Sequence, residues 1–285
     1  MGFLLLVLQV TFWVLVVGGA AWLATCLWLH LRHPVPRWDW NTIDVDDVRF
    51  TDDFLWGVAS AAHQVEGGCD NNNWAWWETQ SDDQGMPRIA GGQVAGDACD
   101  HWNRYPEDIR LIQQLGVSAY RFSIEWSKIE PRPGEFDAEA IAHYHALLDA
   151  LAQAGIKPMI TLLHFSWPLW FEQLGAFEKA ENIRYFVRFS KRVFQEYRPQ
   201  CKLWCTVNEP EVVSLIGYLI GMFPPGRRDL RVAAWVQRNL VLAHAQVYQA
   251  LKHMPGGGTA QIGLVKNIFQ FEPWRRWFLP EWAVA

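Results

Sequence analysis

The stretch Lys202-Leu203-Trp204-Cys205-Thr206-Val207-Asn208-Glu209-Pro210 is a short apolar run that ends on an amide, a carboxyl and a proline. The apolar part reads as a buried strand. Pro210 cannot donate to a strand ladder, so the strand stops ahead of it, and Glu209, as the residue before a proline, is expected to be extended. The pattern sets a carboxyl at a strand's carboxyl end as a candidate general acid/base. Asn208 beside it can hydrogen-bond a hydroxylated substrate. Taken alone, Asn-Glu-Pro also occurs in solvated loops, so its meaning depends on its neighbours.

Outward from this stretch the chain alternates strands and helices. Apolar runs at 54–60, 119–126, 158–165, 202–207 and 261–269 read as strands, and helical spacing falls at 102–115, 141–151, 183–197 and 235–252. Near-continuous apolar strands between helices indicate a parallel sheet covered by helices. No early G-x-G-x-x-G turn marks a dinucleotide fold. The expected class is therefore α/β, a (β/α)8 TIM barrel of which only about the first five β/α units are present, since a closed barrel needs eight strands.

Residues 2–29 carry no charge and are long enough to cross a bilayer as a helix, with Trp13, Trp22 and Trp28 as interfacial anchors. A cleaved signal peptide fits less well, because no basic n-region precedes the run and no A-x-A site follows. The expected organisation is a transmembrane anchor at 1–31, a juxtamembrane linker at 32–49 with Pro34, Pro36, Asp39, Asp44, Asp46 and Asp47, and the partial barrel at 50–285. Arg32 and Arg37 follow the anchor and no Lys or Arg precedes it, which places the barrel in the cytoplasm by the positive-inside rule. A transporter is excluded, because one segment alone can span.

Of the 285 residues, 51% are hydrophobic and 19% charged, which excludes general disorder. A net charge of −5 leaves no footprint for nucleic acid. Cys26, Cys69, Cys99, Cys201 and Cys205 lack paired C-x-x-C spacing and read as small buried hydrophobes in a reducing compartment. Neither a metal site nor a cofactor is expected. Eighteen Trp suit the flat faces of sugar rings, although most Trp in any chain fill core.

Barrel chemistry collects at the carboxyl ends of strands. Those ends carry Gln64 and Glu66, Arg121 to Trp126, His164 to Trp167, and Asn208-Glu209. The set suits a polyhydroxylated ring: amides and imidazole for hydroxyls, indoles for apolar faces, a carboxyl for proton transfer. Singly, each has a structural reading. Gln64 caps backbone, His164 is a satisfied core histidine, Arg121 neutralises a carboxylate, and Glu66 holds a tight turn. Joint placement at successive strand ends favours the functional one.

The stretches at 54–68 (FLWGVASAAHQVEGG), 96–131, 155–170, 202–210 and 242–267 together resemble glycoside hydrolase family 1, the β-glucosidase family, collinearly over nearly all of residues 50–270. The resemblance implies a (β/α)8 barrel and retaining chemistry on β-linked glucosyl or galactosyl groups. It makes Glu209 the acid/base, Asn208 the amide at the sugar 2-hydroxyl, Gln64 and His164 glycone-binding residues, and Arg121 a supporting arginine beside the nucleophile. Trp126 and Trp167 are expected as further supporting residues. Phe165 stands where the family often has Trp. The anchor is similar to that of the family's galactolipid-remodelling branch, which implies a β-glycoside or glycolipid substrate.

Retaining hydrolysis needs a second carboxylate about 5–5.5 Å from the first. In the family it lies in a Thr/Ser-Glu-Asn-Gly motif on strand seven, which residues 1–285 do not contain, and the Glu-Trp pair near the family's C-terminus is missing too. The chain is accordingly expected to be the N-terminal part of a family enzyme, inactive by itself and completed by a C-terminal half. The other readings are glycolipid transglycosylase and non-catalytic, membrane-tethered carbohydrate-binding module.

Overall fold

A computed structural model describes residues 2–34, 39–42, 44, 46, 48–268 and 271–283. Pro36, Arg37, Asp47 and Phe269, used in the sequence expectations above, lie outside the described residues. The chain divides into two compact units, residues 1–52 with 268–285, and residues 53–267. Residues 268–283, expected with the barrel, thus group with the N-terminal helix.

In the first unit, helix α1 (Gly2–Arg32) runs for 31 residues, about 46 Å at the α-helical rise. It is long and apolar enough to cross a membrane. Cys26 is its one buried side chain among those described.

The second unit is built on five parallel strands in the order β1-β2-β3-β4-β5: β1 (Gly57–Ala59), β2 (Ala119–Ser123), β3 (Lys157–Leu163), β4 (Leu203–Asn208) and β5 (Gln261–Val265). Between β1 and β2 come α2 (Ala62–Val65), α3 (Asn73–Glu78) and α4 (His101–Gln114). Between β2 and β3 come α5 (Trp126–Ile129) and α6 (Ala138–Gln153), and between β3 and β4 come α7 (Leu169–Gln173) and α8 (Ile183–Tyr197). After β4 a single turn, α9 (Pro210–Val212), continues as a π-helix over Val213–Ile220, and α10 (Leu230–Lys252) leads to β5. This is the expected partial (β/α)8 barrel, seen as an open five-stranded sheet.

Element ends depart from expectation where a side chain caps the backbone. The second strand stops at Ser123 because Glu125 accepts the Ser127 N–H and starts α5. The last long helix begins at Leu230, five residues early, because Asp229 accepts the N–H groups of Arg231 and Val232. All five cysteines are free; four are buried as expected, but Cys99 is exposed.

In register, Phe122, Ile160, Trp204 and Ile262 share the face toward the helices. There Trp204 meets Phe194 of α8 at 5.0 Å between ring centroids. α10 adds Val236, Leu240, Ala243, Val247 and Leu251, all fully buried. Ala59, Arg121, Met159, Leu203 and Gln261 share the opposite, inner face and are half-buried or exposed.

Trp126 and Trp167 belong to the core and not to the mouth where they were expected. Trp126 is fully buried against Phe171 and Phe189, both at 4.8 Å, and its indole N–H donates to Glu130. Trp167 packs on Phe177 at 5.7 Å, and its N–H donates to Glu172 at 2.6 Å. Burial of each ring with its polar edge paired is the arrangement a core indole needs.

The turn after α2 is fixed by a buried carboxyl, in keeping with its structural reading. Glu66 accepts from the Tyr144 hydroxyl at 2.7 Å and faces Lys128 Nζ at 3.2 Å, while Lys128 also donates to the Gly67 carbonyl. Gly67 has φ +80°, and a Cβ there would fall 2.4 Å from the Asp97 carbonyl oxygen, so no other residue fits. Burial pushes the Glu66 carboxyl up to about 7, against the pull of Lys128. The folded state therefore binds a proton that the unfolded chain has released. This contribution is complete below pH 4.5 and is lost as the pH rises to about 7. Glu66→Gln, which leaves Lys128 its bond to Gly67, is expected to abolish a stability loss of about 3 kcal/mol across that window. Urea denaturation of both proteins at a series of pH values measures the difference.

Candidate functional site

Parallel strands bring their carboxyl ends to one edge of the sheet, and four of the expected site residues follow β1, β3 and β4 there. Gln64 lies on α2, just past β1, and is exposed; Ser123 Oγ accepts the Ala62 N–H at 2.7 Å and holds that turn onto β2. His164 directly follows β3 and is half-buried. Asn208 ends β4 with 3% exposure. Glu209 follows it, partly open to solvent.

Arg121 on β2 reaches across β3 to one member of this row, Asn208. Its Nε donates to Thr161 Oγ1 on β3 at 2.9 Å, and its Nη2 donates to Asn208 Oδ1 on β4 at 2.5 Å. Because the guanidinium occupies the amide oxygen, Asn208 is left to offer its Nδ2 donor, the polarity suited to a hydroxyl acceptor. Burial, helped by the charge of Arg121, lowers His164 to about 4, so the imidazole is neutral at physiological pH. Its Nδ1 is buried with no hydrogen-bond partner among the described residues. A buried nitrogen of this kind calls for a partner that the described residues do not supply.

Glu209 differs from the extended conformation expected before Pro210. It is left-handed, at φ 45° and ψ 64°. Its N–H donates to the Val265 carbonyl on β5 at 2.8 Å, and its own carbonyl accepts from Val212 at 2.9 Å and Val213 at 3.3 Å. These bonds to both sides impose a backbone that costs on the order of 1–3 kcal/mol. The effect is to turn the chain sharply off β4 at the candidate acid/base.

Gln64 and His164 line one cavity of about 290 Å³, together with His63, Trp74, Glu78, Phe165 and Phe223. Its aromatic wall was not legible beforehand. Trp74 and Phe223 meet edge to face at 4.8 Å, and His164 and Phe165 do so at 5.1 Å. Phe165, at φ 70°, is held by its carbonyl, which accepts from Asn73 Nδ2 and Trp74 Nε1, both at 3.1 Å. The only sequence signal was the clustering of Trp74, Trp76 and Trp77 behind the Asn71-Asn72-Asn73 run, which caps α3 through Asn72.

A buried polar chain runs back from the cavity wall at Glu78 and His63. Asn72 Oδ1 accepts the Ala75 N–H, so its Nδ2 donates to His63 Nδ1 at 3.1 Å; His63 Nε2–H in turn donates to Glu78 at 2.9 Å. Asn72 Nδ2 also reaches Glu125, which accepts from the hydroxyls of Ser127 and Ser166 at 2.6 and 2.7 Å. A larger cleft, about 610 Å³, lies around Trp102, Asp70, Asp97 and Asp137. Its indole is covered by Lys128 on one side at 3.7 Å and by the stacked His143 ring at 3.7 Å, which removes it as a platform for a sugar. Among the described residues no group of three or more His, Cys, Asp or Glu could hold a metal ion.

The sequence profile of glycosyl hydrolase family 1 matches residues 46–278. Beta-glucosidase A of Thermotoga maritima is 37% identical over 228 residues, covering 79% of this chain and 50% of that protein. A rice protein named probable inactive beta-glucosidase 14 (Oryza sativa subsp. japonica) is 34% identical over 90% of this chain and 52% of its own length. The solved structure of the Thermotoga maritima beta-glucosidase in complex with castanospermine superposes with a TM-score of 0.75 at 34% identity, over 79% of this chain and 51% of that one. The chain thus spans about half the length of the curated relatives it matches. On its strand order, its strand-end residues and these matches together, the chain belongs to glycosyl hydrolase family 1.

Proposed function

We propose that residues 53–267 form the acid/base half of a retaining β-glycosidase acting on O-linked β-glucosides or β-galactosides, tethered by α1 as a single-pass anchor with the barrel on the cytoplasmic side. The observation that carries this reading is the Asn208-Glu209 pair at the end of β4, with its amide turned by Arg121. Gln64 and the neutral His164 would take the sugar hydroxyls in the cavity they share. Trp74, Phe165 and Phe223 would cover its apolar faces.

In the first step Glu209 gives its proton to the glycosidic oxygen as a carboxylate on the opposite side of the ring attacks the anomeric carbon. The bond to the leaving group breaks and a glycosyl ester forms. Glu209, now ionised, takes a proton from water or from an acceptor hydroxyl, which displaces the ester. The attacking group must be a carboxylate other than those nearest in the sequence. Glu211 accepts the Asn267 N–H, Glu172 is bound to the Trp167 indole, and Glu125 is fully buried and bonded to two hydroxyls. We therefore place the nucleophile outside residues 1–285, in barrel sequence that belongs either to a longer reading frame of this protein or to a separate half.

A glycolipid acceptor in place of water is a second reading, supported by an anchor that would keep the site near a bilayer. A non-catalytic sugar-binding role is a third, and it keeps the cavity while dispensing with the second carboxylate.

The 285-residue chain alone is expected to show only background turnover of aryl β-glucosides. Co-expression with a family C-terminal half carrying the nucleophile strand should give activity that Glu209→Gln reduces at least about 100-fold, the usual weight of acid/base catalysis. Turnover by the chain alone that Glu209→Gln abolishes would contradict this division of labour.

Sugar affinity gives a separate check on His164. With its proton lost well below neutrality, binding of an uncharged sugar analogue should be independent of this residue's titration until the pH approaches about 4. Isothermal titration of the chain and of His164→Asn across the acid range measures it. Affinity that weakens through pH 6–7 in the parent but not in the variant would show an imidazole that is charged there.

A further inference from the structure

The segment Trp274-Arg275-Arg276-Trp277-Phe278-Leu279-Pro280-Glu281-Trp282 has no role in the sheet or in the sugar cavity. It belongs to the same compact unit as α1 and packs along one face of the last turns of that helix. Trp22 Nε1–H donates to the Trp277 carbonyl at 2.8 Å, and Cys26 Sγ–H donates to the same oxygen at 3.1 Å. Arg276 Nη1 reaches His30 Nδ1 at 3.0 Å and the His33 carbonyl at 2.8 Å. The Trp22 and Phe278 rings lie 6.1 Å apart.

Depth along the helix gives this contact its meaning. Roughly 20 residues of α-helix cross the ~30 Å hydrocarbon layer, and the uncharged run 2–29 supplies them, ending just before His30, Arg32 and His33. The last turns, reaching His30 to His33 where Arg276 is bonded, then stand at the level of the lipid headgroups. A segment fastened to those turns is held at the same level.

The segment's composition matches that level. Trp274 is 91% exposed and Trp277 60% exposed, a display of indole that water does not favour and the bilayer interface does. The guanidinium of Arg275 lies 4.5 Å from the centre of the Phe278 ring, and that of Arg276 lies 5.2 Å from that of Trp282. Arg275 is held by Glu281 at 2.6 Å, whereas Arg276 bonds to His30 and the His33 carbonyl and can turn its remaining N–H groups to phosphate while the indoles enter the acyl boundary.

Resting on the reading of α1 as a membrane anchor, we propose that residues 274–282 are a second membrane contact. They form an interfacial Trp/Arg foot that inserts Trp274 and Trp277 at the headgroup–acyl boundary of a glycerophospholipid bilayer, with phosphate meeting Arg276 while Arg275 stays paired with Glu281.

The test uses the full chain in phosphatidylcholine vesicles containing phosphatidylglycerol. Cys99→Ser removes the exposed thiol, and Trp274→Cys carries an environment-sensitive fluorophore. Flotation in alkaline carbonate reports the anchor independently of the probe. The expected result is a floating chain whose probe is quenched by nitroxide lipids labelled near the headgroup and loses most of its quenching by aqueous iodide. In a further Arg276→Glu variant, which leaves the Arg275–Glu281 pair in place, lipid quenching should fall while flotation persists. A floating chain whose probe is open to iodide overturns the foot and leaves the anchor standing. A probe shielded from both quenchers means the segment is covered by protein, and that also overturns it. A chain that does not float removes both readings together.

Discussion

A guanidinium on the inner face of an apolar sheet has to be paired, and the pairing of Arg121 is what the proposed site depends on. The side chain leaves β2, takes Thr161 on β3 and reaches Asn208 on β4. It thereby sets which end of the Asn208 amide faces a ligand, and its charge helps to keep His164 neutral. One residue of β2 so adjusts hydrogen-bonding groups at the ends of two other strands. Losing it would disorganise the mouth without touching a sugar directly.

The backbone at Glu209 follows the same logic of outside control. A left-handed residue before a proline does not persist by local preference. Here β5 holds its N–H through Val265, and the first turns after β4 hold its carbonyl. The acid/base position is therefore tied to the fifth strand, and the geometry at the end of β4 requires β5 to be in place. That coupling also explains why the sheet's later strands matter to a residue on its fourth. The inner face, with Arg121, Met159 and Leu203 only half-buried, is the surface that a completed barrel would cover.

Much of this architecture was legible in the sequence, because parallel strands and their covering helices write their burial directly into apolar runs. The run at 202–207, the stripe of α8 and the spacing of α10 needed nothing more. What the sequence concealed was set by long-range pairing. Glu209's conformation depends on Val265, 56 positions on. The burial of Trp126 and Trp167 depends on Phe171, Phe189 and Phe177 arriving from later elements. The aromatic wall joins Trp74 to Phe223 across most of the chain. Counting tryptophans could not separate core indoles from those lining a cavity, since both satisfy the same preference for apolar contact.

The claim at the centre is that Gln64, His164, Asn208 and Glu209 serve one sugar. A crystal structure of the chain soaked with a gluco-configured iminosugar tests it most directly. Ring hydroxyls are expected within hydrogen-bond distance of Gln64, the His164 ring and Asn208 Nδ2, with the Glu209 carboxyl beside the anomeric position. A sugar seated in the cleft at Trp102, or bound at the strand ends with Glu209 turned away from it, would contradict the account.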